Sequence, residues 1–148
     1  MLNTELEPKP APNFIIATLQ NKCPRCRRGN MFTNNNAYAK LSTNAILDMP
    51  DKCSVCGQKF DMEPGFWFGT GYVSYALAVA ISVTTFVACW VLIGISFKNN
   101  SIIYWLIFQI ILLVVLQPWL MRLSRSVYIR FFIHYDEDYE QTAPKEFN

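Results

Sequence analysis

The sequence predicts a small membrane protein. A cytosolic zinc ribbon is followed by an antiparallel two-helix transmembrane hairpin and a C-terminal amphipathic helix. Two C-x-x-C pairs in the N-terminal part predict the metal-binding ribbon. Two long apolar runs, residues 72–97 and 102–121, predict the hairpin. A short aromatic and glycine-rich stretch, residues 63–71, connects the two parts and is predicted to form an interfacial collar at headgroup level.

The amino-acid composition divides the chain into a polar half and an apolar half. Hydrophobic residues make up 52% of the sequence and charged residues 16%, an apolar share above that of an average soluble protein. From Tyr72 to Met121 the only charged side chain is that of Lys98. A net charge of +2 without a dense basic patch argues against a nucleic-acid partner. The sequence also indicates no small-molecule substrate.

The candidate metal ligands are Cys23, Cys26, Cys53 and Cys56. A C-x-x-C loop turns both sulfurs toward one point, so two loops supply four thiolates for a tetrahedral ion. We predict structural zinc. Rubredoxin-like iron is the less favoured alternative, because it uses the same four-sulfur geometry. Redox disulfides are a third reading, which a reducing cytosol disfavours.

No acid–base set accompanies these cysteines, so the predicted centre is structural and the protein is predicted not to be an enzyme. The fifth cysteine, Cys89, lies in the middle of the first apolar run. We interpret it as a small packing residue of a helix.

Both apolar runs are long enough to cross a bilayer. Residues 72–97 would form a helix of about 39 Å and residues 102–121 one of about 30 Å. Residues 98–101 are a polar turn, which would send the second helix back beside the first. The basic residues flank the outer ends of the pair, so the positive-inside rule predicts that both termini lie in the cytoplasm.

The remaining segments complete the predicted organisation. Residues 1–12 are acidic and contain prolines, and are expected to form a disordered leader before the zinc ribbon of residues 13–62. Apolar residues recur at three- and four-residue steps over 122–140, and a polar stripe recurs at four-residue steps beside them. Together they predict an amphipathic helix at the cytoplasmic interface. The stripe consists of Arg122, Ser126, Arg130 and His134. Residues 141–148 are expected to form a disordered tail.

The first span carries small residues on two faces, which would let helices approach closely in lipid. One face is expected to hold the second span, and the other to be free for another membrane protein or for a second copy of the chain. Gln109, the polar residue in the middle of the second span, is predicted to bond to Ser82, to Thr85 or to a partner protein. The two faces are Ser74, Ala78 and Ser82, and Ala76, Ala80, Thr84 and Ala88.

Several of these motifs also occur together in a known family. Cys23–Cys26 is followed by a glycine and a phenylalanine, and so is Cys53–Cys56; Glu63–Gly69 then runs into Tyr72–Leu77. In this order the features resemble a bacterial family of small membrane proteins called domain of unknown function 983, and most of all its Bacteroidetes-type branch. The resemblance covers about residues 20–125.

The resemblance implies a zinc-ribbon head, two membrane helices and no established activity. Some members of that family are encoded near haem–copper oxidase genes, which implies a link to respiratory-complex assembly. We therefore expect a non-enzymatic protein of the bacterial inner membrane that acts as an accessory or assembly factor for a larger membrane complex. The alternatives are an iron electron-transfer protein and a metal- or redox-sensing membrane regulator.

Overall fold

The computed structural model contains four α-helices in the part of the chain that it describes. The described residues are 10, 12–39, 42–95 and 99–146. The helices are α1 (Phe14–Leu19), α2 (Thr43–Ile46), α3 (Thr70–Ile93) and α4 (Ser101–Arg130), with a 3-10 turn at Phe66–Gly69. Most of the predicted leader, residues 96–98 and the last two residues lie outside the described residues.

The long helices α3 and α4 are apolar enough, and long enough, to cross a membrane. Their 24 and 30 residues correspond to about 36 Å and 45 Å of helix. In their most apolar windows almost no residue is buried inside the protein, as is typical of helices that face lipid. α3 ends at Ile93 and is capped by Gly94. The cap is left-handed, since Gly94 has a φ of +71° and its N–H donates to the Trp90 carbonyl.

α3 and α4 contact each other through a polar bridge and an aromatic pair. The Gln109 side chain donates from Nε2 to Ser82 Oγ at 2.8 Å and accepts at Oε1 from Thr85 Oγ1 at 2.7 Å. Both ends of the carboxamide are therefore satisfied, as the sequence predicts. Nearby, the Phe86 and Trp105 rings meet edge to face with centroids 5.1 Å apart.

Gln109→Leu should lower the free energy of unfolding in detergent micelles by about 0.6–1.7 kcal/mol, the range of interhelical hydrogen bonds in membranes. The loss stays modest because Ser82 and Thr85 also bond to backbone carbonyls of their own helix. Gln117→Leu is the matched control, since Gln117 is exposed on the same helix. Equal unfolding free energies for the two variants would show that the bridge does not stabilise the pair.

The second apolar helix continues further than predicted. The predicted span 102–121 and the first part of the predicted amphipathic helix 122–140 form one uninterrupted helix, α4, which ends at Arg130. Pro118 lies inside it. The following segment, residues 131–146, is not helical. α3 likewise begins at Thr70, two residues inside the predicted collar.

The cysteine-containing part of the molecule, called the head below, has a core that includes residues from the end of α4 and just beyond it. The four paired cysteines share one buried cluster with Met31, Phe32 and Phe60, and also with Ile129 of α4 and Ile133 of the segment that follows. The core of the head therefore extends beyond the residues 13–62 predicted for the ribbon. A segment of about 50 residues has too little apolar surface to form a core alone.

The collar fixes the beginning of α3 against the end of α4. Gly65 has a φ of +87°, a left-handed conformation that leads into the 3-10 turn. The Phe66 ring packs on Tyr128 and Phe132, with centroids 5.1 Å apart in both pairs. Gly69 approaches the Tyr128 ring so closely that a Cβ would overlap it. The head therefore connects to the long helices through a packed joint.

Candidate metal centre

The four predicted ligands converge in the structure. Cys23, Cys26, Cys53 and Cys56 are 0%, 0%, 3% and 9% exposed, and their Sγ atoms all lie within 4.8 Å of one another. The Sγ–Sγ distances are 3.7 Å for Cys23 and Cys56 and 3.8 Å for Cys26 and Cys53. A tetrahedral ion with metal–sulfur bonds of about 2.3 Å requires sulfur–sulfur distances of about 3.8 Å. The cluster therefore fits such an ion.

Both C-x-x-C pairs use the same local loop. The Arg27 amide donates to the Cys23 carbonyl at 2.9 Å, and the Gly57 amide donates to the Cys53 carbonyl at 3.0 Å. Arg27 and Gly57 both have left-handed backbones, with φ of +54° and +69°. Each loop is also closed by a single antiparallel β-bridge, and the described residues form no longer strand. The head is thus two zinc-ribbon-like knuckles without a sheet.

Backbone amides support the sulfurs. The Gly29 N–H donates to Cys26 Sγ at 3.4 Å, and the Val55 N–H donates to Cys53 Sγ at 3.5 Å. Such bonds stabilise the thiolate form, in which cysteine binds metals. A Cβ at Gly29 would overlap Cys53 Sγ. Glycine is therefore the residue that lets the first knuckle approach the sulfur of the second.

The crowded thiols shift one another's pKa values in opposite directions. Hydrogen bonds, first of all with Cys26, raise the pKa of Cys23 well above its ordinary value. The hydrogen bond with Cys23 lowers the pKa of Cys26 far below that value and lowers the pKa of Cys53 to about 6. Metal binding to all four sulfurs must release the shared protons, so affinity falls as the pH falls.

The C-terminal segment covers the first knuckle through Arg25. This side chain is 4% exposed, and its guanidinium donates to the Cys56 carbonyl at 3.3 Å and to Asp136 Oδ2 at 3.2 Å. It also donates to the carbonyls of Thr142 and Ala143 at 2.7 and 3.1 Å. In the described part of the predicted tail, a buried arginine thus donates hydrogen bonds to the backbone.

The second knuckle is held to the same segment by Gln58. Its side chain is fully buried and pairs with the backbone of Lys145 through both ends of the amide. Gln58 Nε2 donates to the Lys145 carbonyl at 2.8 Å, and the Lys145 N–H donates to Oε1 at 3.0 Å. Sequence reasoning missed this contact, because a glutamine after a C-x-x-C-G motif is typical of a solvent-exposed loop.

Gln58→Met should free residues 141–146 without removing the metal. Each lost hydrogen bond contributes about 0.5–1.5 kcal/mol, so amide exchange in this segment should become on the order of tenfold faster. Hydrogen–deuterium exchange followed by mass spectrometry measures this, with metal content determined on the same sample. Gln141→Met is the control, since Gln141 is exposed in the same segment. Unchanged exchange in the Gln58 variant would contradict the clamp.

Arg122 joins α4 to the head. Its side chain is 2% exposed. It donates from Nε to the Ile46 carbonyl at 2.8 Å and from Nη1 to the Asn34 carbonyl at 2.7 Å. The guanidinium also lies 4.8 Å from the centroid of the Phe32 ring, within cation–π range. A residue that the sequence assigned to a polar interfacial stripe is therefore buried between helix and head.

Two further arginines of α4 act in the same way. Arg125 donates to the Leu47 carbonyl at 3.2 Å and lies 4.8 Å from the Trp67 ring centroid. Arg130 donates from Nε to Thr18 Oγ1 at 2.7 Å. The last turns of α4 thus support the head from inside. They continue α4, whereas the sequence predicted a separate amphipathic helix at the interface.

The fifth cysteine, Cys89, lies outside the cluster, as expected.

Comparison with known proteins identifies the family of this chain. No curated protein and no solved structure matches the chain significantly. The profile of a family described as "Protein of unknown function (DUF983)" matches residues 43–132, which include the second cysteine pair, α3 and all of α4. The match covers more than half of the chain. The chain therefore belongs to the DUF983 family of proteins of unknown function.

Proposed function

We propose that the protein is a non-enzymatic integral protein of the bacterial inner membrane. It acts as an accessory or assembly factor for a larger membrane complex, with a respiratory oxidase as the first candidate. α3 and α4 cross the bilayer as an antiparallel hairpin, and the head and both termini are cytoplasmic. The observation that carries this proposal is the core that the four cysteines share with the end of α4.

The shared core supports a structural zinc. Four thiolates complete the coordination of a tetrahedral ion and leave no open position for a substrate or an attacking water. Because Ile129 and Ile133 belong to the same cluster, zinc binding would order the head and set its orientation on the hairpin in one step. A head held in this way is suited to presenting a fixed cytosolic surface to a partner.

The exposed face of α3 supports a partner inside the membrane. The stripe of Ser74, Ala78 and Ser82 is half-buried, and Ser82 bonds to Gln109 of α4. The other small-residue stripe is exposed along its whole length, and its members would allow a neighbouring helix to approach closely. The exposed stripe consists of Ala76, Ala80, Thr84 and Ala88.

Purification of the tagged protein from its native membranes in mild detergent tests this proposal. We expect another membrane protein to co-purify through this stripe. A second, differently tagged copy of the chain is the alternative partner. Ala80→Leu should abolish the association. Val79→Leu is the control, because its position lies about 100° around the helix from Ala80. Recovery of the monomer alone, or equal effects of the two variants, would contradict an intramembrane partner on this stripe.

A further inference from the structure

A polar cavity lies beside α4, separate from the metal centre. Its volume is about 240 Å³. Its walls come from the first knuckle, from the loop that follows it and from α4, and they combine two cations with several carboxamides. The lining residues that matter are Asn21, Lys22, Asn30, Asn34, Asn35 and Arg122.

Arg122 places a buried positive charge in the wall of this cavity. The side chain is 2% exposed, and two of its nitrogens bond to carbonyls. No described carboxylate forms an ion pair with it. A buried charge without a counter-charge is costly. The cavity therefore favours an anion.

Lys22 adds to this preference. The Lys22 ammonium is held at the wall by Asn30 Oδ1, which accepts its hydrogen bond at 2.6 Å. The carboxamides of Asn34 and Asn35 lie in the same wall. Two cations together with carboxamides match an anion that also carries a hydroxyl group.

The size and position of the cavity narrow the ligand further. Drug-sized ligands occupy about 300–1,000 Å³, so a volume of about 240 Å³ suits a small headgroup. The loop with Asn34 and Asn35 runs on to Tyr38, whose hydroxyl donates to the Val115 carbonyl at 3.0 Å. Val115 is exposed on the apolar part of α4. In the proposed membrane orientation the cavity thus lies near the lipid headgroups.

We propose that this cavity binds a phosphate ester that carries a hydroxyl group. Arg122 and Lys22 hold the phosphate oxygens, and the Asn34 and Asn35 carboxamides bond to the hydroxyl. Glycerol phosphate is the chemistry that fits, either as the headgroup of phosphatidylglycerol or as the soluble ester. The lipid source rests on the proposed membrane orientation, whereas the soluble source does not.

The full-length protein tests both sources. In the lipid arm, the protein is placed in nanodiscs of phosphatidylcholine with or without phosphatidylglycerol, and thermal unfolding and lipid retention in native mass spectrometry are measured. In the soluble arm, glycerol 3-phosphate is titrated in neutral detergent. Stabilisation in the first arm assigns the lipid headgroup, and saturable binding confined to the second assigns the free ester.

Lys22→Gln is expected to weaken binding about tenfold in whichever arm responds, because it removes one charge-assisted hydrogen bond. Lys59→Gln, the same charge change at an exposed residue of the second knuckle, should leave binding unchanged. Metal content verifies that both variants fold. Absence of binding in both arms, or equal weakening by the two variants, would overturn the proposal. Loss of binding at this cavity would leave the co-purification test of the proposed function unaffected, so the two proposals can fail separately.

Discussion

Replacing Cys26 and Cys53 together by serine is expected to unfold the head and to release the end of α4 from it. Structural zinc contributes an apparent 10–16 kcal/mol or so to small metal-dependent modules at neutral pH. The head has little core without the ion, and Ile129 and Ile133 pack into the same cluster as the cysteines. Loss of the metal should therefore also destabilise the end of α4.

Hydrogen–deuterium exchange on the protein in detergent measures this. Protection should be lost together over residues 14–39, 42–62 and 122–145, while α3 and residues 102–115 keep theirs. Cys89→Ser is the matched control, because Cys89 lies in α3 outside the cluster. If the double variant loses its metal and yet keeps a protected head, the metal is not what folds this part of the molecule.

Gly29→Ala should weaken metal binding by roughly tenfold to a hundredfold. The added methyl would overlap Cys53 Sγ, and overpacking of this kind typically costs about 1–3 kcal/mol. The sulfur has little room to yield, because its position is set by the other three ligands. Competition with a chromophoric chelator measures the affinity.

Gly71→Ala is the control for this substitution. Gly71 lies in the first turn of α3, and nothing would lie within 4 Å of its added Cβ. Its metal affinity should equal that of the unaltered protein. Equal affinities for the Gly29 and Gly71 variants would mean that the two knuckles approach each other less closely than the structure indicates.

The ligands and the long apolar helices could be predicted because their signals are local. The C-x-x-C spacing determines which sulfurs turn toward one point, and a run of some twenty apolar residues is long enough to be a membrane helix. Gln109 could be predicted too, since a polar residue in an apolar helix needs a polar partner. These features require only nearby residues or a simple pairing of two helices.

The contacts that join the head to α4 could not be predicted in the same way. Arg122 and Ser126 lie four residues apart, and such a stripe suits water, a membrane interface or a layer of carbonyl groups equally well. The partner carbonyls of Arg122, those of Ile46 and Asn34, are 76 and 88 residues away. The stripe therefore indicated an interfacial helix, whereas the fold uses it as a support.

The described part of the tail illustrates the same limit. Its composition is polar, which is typical of disorder, and its backbone is held by Gln58 across 87 residues of sequence. A single buried amide that pairs with a peptide backbone leaves no periodic pattern. Contacts of this kind depend on the fold being complete, since the cysteine loops must first place Gln58 beside the segment.

Metal analysis combined with X-ray absorption spectroscopy at the metal edge tests most directly whether a four-cysteine metal centre builds the head. The full-length protein is purified under reducing conditions without added metal. We predict one zinc per chain, surrounded by four sulfurs at about 2.3 Å. Iron with visible thiolate charge-transfer bands would support the electron-transfer alternative and contradict structural zinc. A metal-free protein with a folded head would contradict the metal centre itself.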